Sequence, residues 1–423
     1  MIVLYRVLTL IVYPLFFIFT WIRIFLKKED KQRYKEKLLS SHFKPSRDVS
    51  KKLIWFHAAS IGEFKSIVPI VKTLNKDNKR IEILITTTTL SSSNLVINEL
   101  KKMKNIYHRF FPYDVEFLIR KFLDQWKPDR IFFIDSEIWP NLILIANQKK
   151  IPLALLNARL TLKTFKRWSK FRSASKIIFS KFDICLASNL SSEKFLKELG
   201  AKNISFLGNI KFIQEIDETT INSINSKMLK NKRFWVAAST HNGEEIFCLK
   251  AHEIIKKSYH DIVTIIAPRH INRGKKIKSY CDRLNLNSQL LNQGEKILKD
   301  KEVLIINSYG VLKEYFKYAK SVFIGKSIIP KLKDDGGQNP LDAANLKCRI
   351  YHGPYVYNFE EIYKTLENLK ITKKISTYEE LSRCLIEDLK KTEKDENKTL
   401  NNLNELSRKI FNNTMVVVEK FVL

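Results

Sequence analysis

Residues 55–64, WFHAASIGEF, end an apolar run in small residues, and Glu63 follows Ser60 and Gly62 where a helix should start. A carboxylate at a helix N-terminus is stabilised as the anion. There it can take a proton from a bound hydroxyl, or it can simply serve the helix dipole. Residues 134–143, IDSEIWPNLI, place Asp135, Glu137 and Trp139 at the end of a second apolar run. Three uses stay open for them: metal binding through D-x-E, hydrogen bonding to substrate hydroxyls, and a helix-capping turn with a packed tryptophan. Two carboxylates two residues apart form only part of a metal site.

The second half repeats the pattern. In AASTHNGEE, residues 237–245, Ser239, Thr240 and Asn242 can cap a helix that carries Glu244 and Glu245. APRH, residues 267–270, ends a run in Arg269 and His270, a setting that suits a phosphate. DDGGQNPLDAA, residues 334–344, offers paired glycines, then Asn339 opening a proline-led helix, then Asp342 placed to take ribose hydroxyls. Between the halves, NARLTLKTFKRWSKFR, residues 157–172, carries Arg159, Lys163, Lys166, Arg167, Lys170 and Arg172 among Phe165, Trp168 and Phe171. It could hold lipid phosphates or form a solvated helix face.

The elements that position these groups read as strands alternating with amphipathic helices. KLIWFHAAS, IEILITTTT, RIFFID, PLALLNA, ICLAS and ISFLGNI are short and rich in β-branched and aromatic residues, as strands buried on both faces of a parallel sheet are. After a polar stretch at 213–232 a second series begins: RFWVAAS, DIVTIIAP, EVLIIN, SVFIGKS and RIYHG. The fold class is therefore α/β, with two doubly wound, Rossmann-like domains. Their ligands are expected beyond the carboxyl ends of the strands, in a cleft between the domains. The expected boundaries are 27–212 for the first domain and 213–423 for the second, whose last residues from Tyr378 read as helices.

Residues 2–26 stand apart. They are almost all apolar or aromatic, and Lys27, Lys28, Lys31, Arg33, Lys35 and Lys37 follow. Residues 7–22 carry no charge, slightly short of a full bilayer span, which snorkelling of Arg6 and Arg23 could extend. Residues 1–26 read as a retained membrane anchor, spanning or monotopic, with its basic flank on the cytoplasmic side. The competing use is a buried core helix. The 423 residues carry a formal charge of +31, which suits anionic partners or reflects a lysine-rich composition. With 44% hydrophobic residues the chain is not a disordered one. Five scattered cysteines without a C-x-x-C pair argue against a disulfide framework or a zinc site.

Taken in order, HAASIGE, FPYD, SEIWPN, NARLT, GNIKF, STHNGEE, PRH, GGQNPLDAA and HGPYVYNF resemble segments of the 3-deoxy-D-manno-octulosonic acid (Kdo) transferases of lipopolysaccharide synthesis. The resemblance covers nearly the whole chain. It implies a GT-B fold with an acceptor half and a donor half, CMP-Kdo as donor, and lipid IVA, a phosphorylated lipid A precursor, as acceptor. It implies an inverting transfer at the inner membrane, on its cytoplasmic face, with no metal, no cofactor and no nucleic acid. Glu63 matches the family's general base and Glu137 a supporting acid. Pro268, Arg269, Gly310, Val311, Leu312, Asn339, Pro340, Leu341 and Asp342, with Ser239 and Thr240, fall to the donor. Ser60, Gly62, Arg159 and Lys163 fall to the acceptor. The chain departs from the family at Val311 and Asp342, where Glu is usual, and at Gln338, where His is usual. Two alternatives stand beside this reading: a GT-B enzyme for another nucleotide sugar, and a non-catalytic, membrane-tethered protein that binds anionic lipid.

Overall fold

Strands that are apolar on both faces need helices on both sides, and the computed structural model folds them so. It describes all residues except 46, 78–79, 101–102, 104, 214–220, 222 and 392–393. Two units divide the chain: residues 1–214 together with 406–423, and residues 215–405.

The first unit holds β1 (Lys52–His57), β2 (Ile81–Thr87), β3 (Ile106–Phe110), β4 (Arg130–Ile134), β5 (Leu153–Ala158), β6 (Ile184–Ala187) and β7 (Ile204–Phe206). All pair in parallel, in the order β3-β2-β1-β4-β5-β6-β7. The central strands are buried along their length; Leu53, Trp55, Ile83, Leu84, Ile131 and Phe133 are fully enclosed. Each such side chain contributes about 1.5–3 kcal/mol by leaving water. The strand order reverses between β1 and β4, so the crevice of this sheet lies beyond the ends of those two strands. Glu63 follows β1, and Asp135 and Glu137 follow β4.

The second unit repeats the plan with β8 (Phe234–Thr240), β9 (Val263–Pro268), β10 (Ser288–Leu291), β11 (Val303–Ile306), β12 (Ser321–Ile324), β13 (Arg349–His352) and β14 (Thr372–Lys374). Their order is β10-β11-β9-β8-β12-β13-β14, again all parallel. Here the reversal falls between β8 and β12.

The second unit does not run to residue 423, as the sequence reading expects. The long helix Lys394–Val422 ends on the first unit. Its apolar face finds cover there. The Phe421 ring meets Phe132 edge-on at 5.2 Å, and Ile410 lies over Gly208, where a Cβ would come within 2.6 Å of it. Arg130 Nε donates to the Phe421 carbonyl at 2.8 Å, and Lys52 Nζ to the Leu423 carbonyl at 2.9 Å. Of the polar stretch expected at 213–232, residues 214–220 and 222 lie outside the described residues. The short helix Ser226–Asn231 lies within it.

The N-terminal residues form one helix, Ile2–Phe25, with mean hydropathy 2.2 over its apolar window. It is not a buried core helix: none of that window is buried. Arg6 and Arg23 pair with Glu116 at 3.4 Å and Glu29 at 3.0 Å. The basic flank is partly internal as well. Lys37 is buried, and its Nζ donates to Glu29 at 2.6 Å and to the Thr88 carbonyl at 2.7 Å.

Candidate active site

Glu63 is held by the turn that follows β1. Ser60 precedes the helix Ile61–Asp77; its hydroxyl donates to Glu63 Oε1 at 2.7 Å and accepts from the Glu63 N–H at 3.3 Å. The Ala59 N–H donates to Oε2 at 2.8 Å. This is a reciprocal capping arrangement of the S-x-x-E kind, so the carboxylate does serve its helix. It is also only 8% exposed. Burial pushes its pKa up to about 7; the Ser60 hydrogen bond opposes the rise, and the charges of Glu137 and Asp135 add to it. Such a group ionises near neutrality, where a general base works best. Gly62 precedes Glu63 on the same helix. It sits in the first turn of the helix without a left-handed backbone, and nothing lies within 4 Å of the place a Cβ would take. The residue keeps space open next to Glu63.

The end of β4 supplies two acids with different partners. Asp135 adopts a left-handed backbone, φ 63°, and its Oδ2 accepts from Lys211 Nζ at 2.5 Å. Its Oδ1 is buried without a hydrogen-bond partner. Lys211 is brought there by Asn157 at the end of β5, whose Oδ1 accepts from the Ile210 N–H at 3.0 Å. Asn157 Nδ2 is likewise buried and unpartnered. Glu137 instead accepts from the Trp139 indole N–H at 2.9 Å. The same N–H reaches His57 Nε2 at 3.2 Å, and His57 Nδ1 meets Thr86 Oγ1 at 2.9 Å. His57 is wholly buried at the last position of β1. Asp135 and Glu137 therefore do not converge on a D-x-E metal site; among the described residues no three His, Cys, Asp or Glu side chains group as metal ligands.

The helix that follows, Pro140–Gln148, begins at Trp139 and is capped from elsewhere. Asp114, of the FPYD segment, accepts from the N–H of Asn141 at Oδ2 and of Leu142 at Oδ1, both at 2.9 Å. Two segments distant in sequence thus lock the backbone that carries Glu137 and Trp139.

Among the expected acceptor residues, Ser60 is exposed, Arg159 is half-buried with its N–H on the Asp135 carbonyl at 3.1 Å, and Lys163 is exposed on the helix Leu162–Ser169. That helix is amphipathic. Phe165 and Trp168 pack on the core of the first unit, and Lys166, Arg167 and Lys170 face out.

In the second unit, Ser239 adopts φ 56° and Thr240 is buried with an unpartnered Oγ1. Neither caps the next helix, Glu244–Ser258. Its N-cap is Gly243 at φ 98°, and Asn242 instead accepts from Arg273 at 3.0 Å. Glu244 itself fills the anion cradle, accepting from the N–H groups of His241, Lys326, Ser327 and Ile328 at 2.7–3.1 Å. The carboxylate thereby ties the start of this helix to the 326–328 loop after β12. Pro268 is buried at the end of β9, and Arg269 beyond it is exposed. Gly310, φ 83°, turns in open space before the helix Leu312–Phe316, whose N-cap is the buried Val311. The helix Leu341–Asn345 has Pro340 as its N-cap rather than its first residue. Asn339 Oδ1 accepts from the Leu341 N–H at 3.1 Å, and Asp342 faces Lys313 at 3.7 Å. The structure thus joins the 310–313 and 339–342 segments.

Sequence reasoning missed Lys211, His57 and Asp114 as parts of this arrangement, although GNIKF, HAASIGE and FPYD contain them. Each acts through a partner remote in sequence.

Residues 32–214 match the family described as 3-Deoxy-D-manno-octulosonic-acid transferase (kdotransferase). A probable mitochondrial 3-deoxy-D-manno-octulosonic acid transferase of Arabidopsis thaliana is 33% identical over 79% of this chain and 76% of its own. A 3-deoxy-D-manno-octulosonic acid transferase of Rickettsia bellii is 32% identical over 90% of this chain and 89% of its own. In fold, the chain is similar to a UDP-GlcNAc 2-epimerase from Neisseria meningitidis bound to UDP-GlcNAc, with TM-score 0.58 and 15% identity over 88% of this chain and 99% of that one. Two parallel Rossmann-like sheets of this kind make a GT-B fold. The chain belongs to the 3-deoxy-D-manno-octulosonic acid transferase family and is a glycosyltransferase that transfers Kdo.

Proposed function

We propose that the chain transfers Kdo from CMP-Kdo to lipid IVA by a metal-independent, inverting displacement in which Glu63 is the general base. The observation that carries this is the state of Glu63: an enclosed carboxylate, bound by two short hydrogen bonds, with its pKa pushed to about 7 and open space over Gly62.

The carboxylate of Glu63 takes the proton of an acceptor hydroxyl as that oxygen attacks the anomeric carbon of Kdo. The bond from that carbon to the phosphate oxygen breaks, and CMP leaves with the electron pair. The centre gains oxocarbenium character on the way. Glu137, fixed by Trp139, and Lys211, fixed by Asp135, supply one negative and one positive charge near the reacting groups. The orphaned Asp135 Oδ1 and Asn157 Nδ2 are polar atoms that sugar hydroxyls would satisfy. In the second unit Arg269 meets the phosphate, and the open turn at Gly310 with Asn339–Asp342 receives the nucleoside. Pro268, Val311 and Leu312 line that site; Ser239 and Thr240 stand at the end of β8. Arg159 and Lys163 attract the acceptor's phosphates. The apolar helix Ile2–Phe25 anchors the enzyme at the inner membrane, with its catalytic units on the cytoplasmic face.

The test is mass spectrometry of the product made by purified enzyme, lipid IVA and CMP-Kdo. Addition of Kdo by the parent and none by Glu63→Gln, with CMP binding retained, is the expected result. Preference for UDP- or GDP-sugars, or near-normal turnover by Glu63→Gln, overturns it.

A further inference from the structure

The polar side chains of the helix Ile2–Phe25 fall on one face, and that face is docked. Tyr5 Oη donates to Asp114 Oδ2 at 2.9 Å, and Arg6 Nε lies 3.4 Å from Glu116. Asn141 Nδ2 donates to Thr9 Oγ1 at 3.4 Å, and Tyr13 Oη to the Leu38 carbonyl at 2.6 Å. Thr20 and Tyr113 share a hydrogen bond at 3.0 Å, and Arg23 Nε donates to Glu29 at 3.0 Å. Phe16 stacks on Tyr113 with ring centroids 4.3 Å apart. These contacts run from the first turn of the helix to the last.

The other face is bare and wholly apolar. Leu4, Ile11, Ile18 and Phe25, one every seven residues, are 57%, 66%, 58% and 86% exposed. Leu15 and Trp21 lie between them, 56% and 61% exposed. Lys27, Lys28 and Lys31 follow, all exposed.

We propose that this helix does not cross the membrane but lies flat in one leaflet, with its outer face among the acyl chains and the three lysines at anionic headgroups. A crossing helix would either strip all these contacts, leaving Arg6, Thr9 and Tyr13 in hydrocarbon, or carry Asp114, Glu116 and Glu29 to bilayer depth with it. Both are costly. A helix polar and docked on one side, apolar on the other, with a basic flank, fits the interfacial mode. The pairing also ties the anchor to the candidate site, because Asp114 caps the helix behind Glu137 and Trp139.

The inference rests on the membrane attachment proposed above, and depth measurement separates the two. Leu4→Cys, Ile11→Cys, Ile18→Cys and Phe25→Cys are made singly in the full chain and labelled with bimane; the five native cysteines are all buried. Each is bound to phosphatidylethanolamine–phosphatidylglycerol vesicles that carry bromine at one of three acyl depths. Equal, shallow depths at all four positions are expected. A profile that passes through the bilayer centre near Ile11 overturns the in-plane placement and leaves attachment standing. Absence of vesicle binding overturns both. As a second arm, Ile11→Glu with Ile18→Glu should release the protein from vesicles with its circular dichroism and thermal midpoint unchanged; full retention on vesicles counts against the proposal.

Discussion

His57 Nε2 accepts from the indole N–H of Trp139 at 3.2 Å, in the buried space where β1 ends. The same indole N–H lies 2.9 Å from Glu137 Oε2, and His57 Nε2 is 3.5 Å from that carboxylate oxygen, while His57 Nδ1 meets Thr86 Oγ1 at 2.9 Å. Trp55 Nε1 donates to the same Thr86 oxygen at 2.8 Å. The chain of contacts ends on Glu137 and fixes it to the central strands.

Trp139→Phe keeps the packing and removes the shared N–H. A hydrogen bond to a charged group contributes about 1.5–3 kcal/mol, so kcat should fall roughly ten- to hundredfold with the donor KM unchanged. Steady-state kinetics against CMP-Kdo measures this. An unchanged kcat would assign Trp139 to packing alone.

The pH dependence of kcat/KM should show one ascending limb centred near 7, because the proposed base, Glu63, would act when ionised and burial pushes its pKa up to about 7. The Glu137 charge adds to that rise. Glu137→Gln should therefore move the limb to lower pH even though the rate on the plateau is reduced. A limb that stays in place would separate the titrating group from Glu63.

The same raised pKa affects folding. Glu63 stabilises the fold while protonated, fully below its unfolded value near 4.5, and this contribution is lost as pH rises through the folded value near 7. Each pH unit between those two values is equivalent to about 1.4 kcal/mol. At pH 8 Glu63→Gln should thus be more stable than the parent by up to about 3 kcal/mol. The gain should shrink towards pH 5. Thermal unfolding at the two pH values tests the sign.

Lys211 and Asp135 form an enclosed pair, with side chains 14% and 11% exposed. Breaking such a pair from one side costs about 3–5 kcal/mol. Lys211→Met should destabilise the first unit by that order, and adding Asp135→Asn should restore much of the stability without restoring transfer. Recovery of activity in the double variant would limit Lys211 to a structural role.

Much of the fold is legible in the chain because its central strands are apolar on both faces. β1, β2, β4, β5, β6, β7, β8, β9, β11, β12 and β13 coincide with the runs read from composition. The missed strands, β3, β10 and β14, lie at the sheet edges, where IYHRF, SQLL and TKK mix polar residues into the pattern. The place of Glu63 at a helix start was legible because the strand end and the turn that precede it are adjacent in sequence. Lys211 was not: its tie to Asp135 crosses 76 positions and depends on an amide of Asn157. The expected cap by Asn242 failed because Arg273 claims that side chain and Glu244 supplies the anion instead. The destination of residues 406–423 was equally hidden, since an amphipathic tail does not say which apolar surface it will cover.

That tail sets an order of events at the ribosome. β4 and β5 are translated long before Phe421, so their outer surface waits, uncovered, through synthesis of the whole second half. The first unit therefore reaches its finished state only once residues 406–423 have joined it. Removal of the residues around Phe421 would damage the half made first.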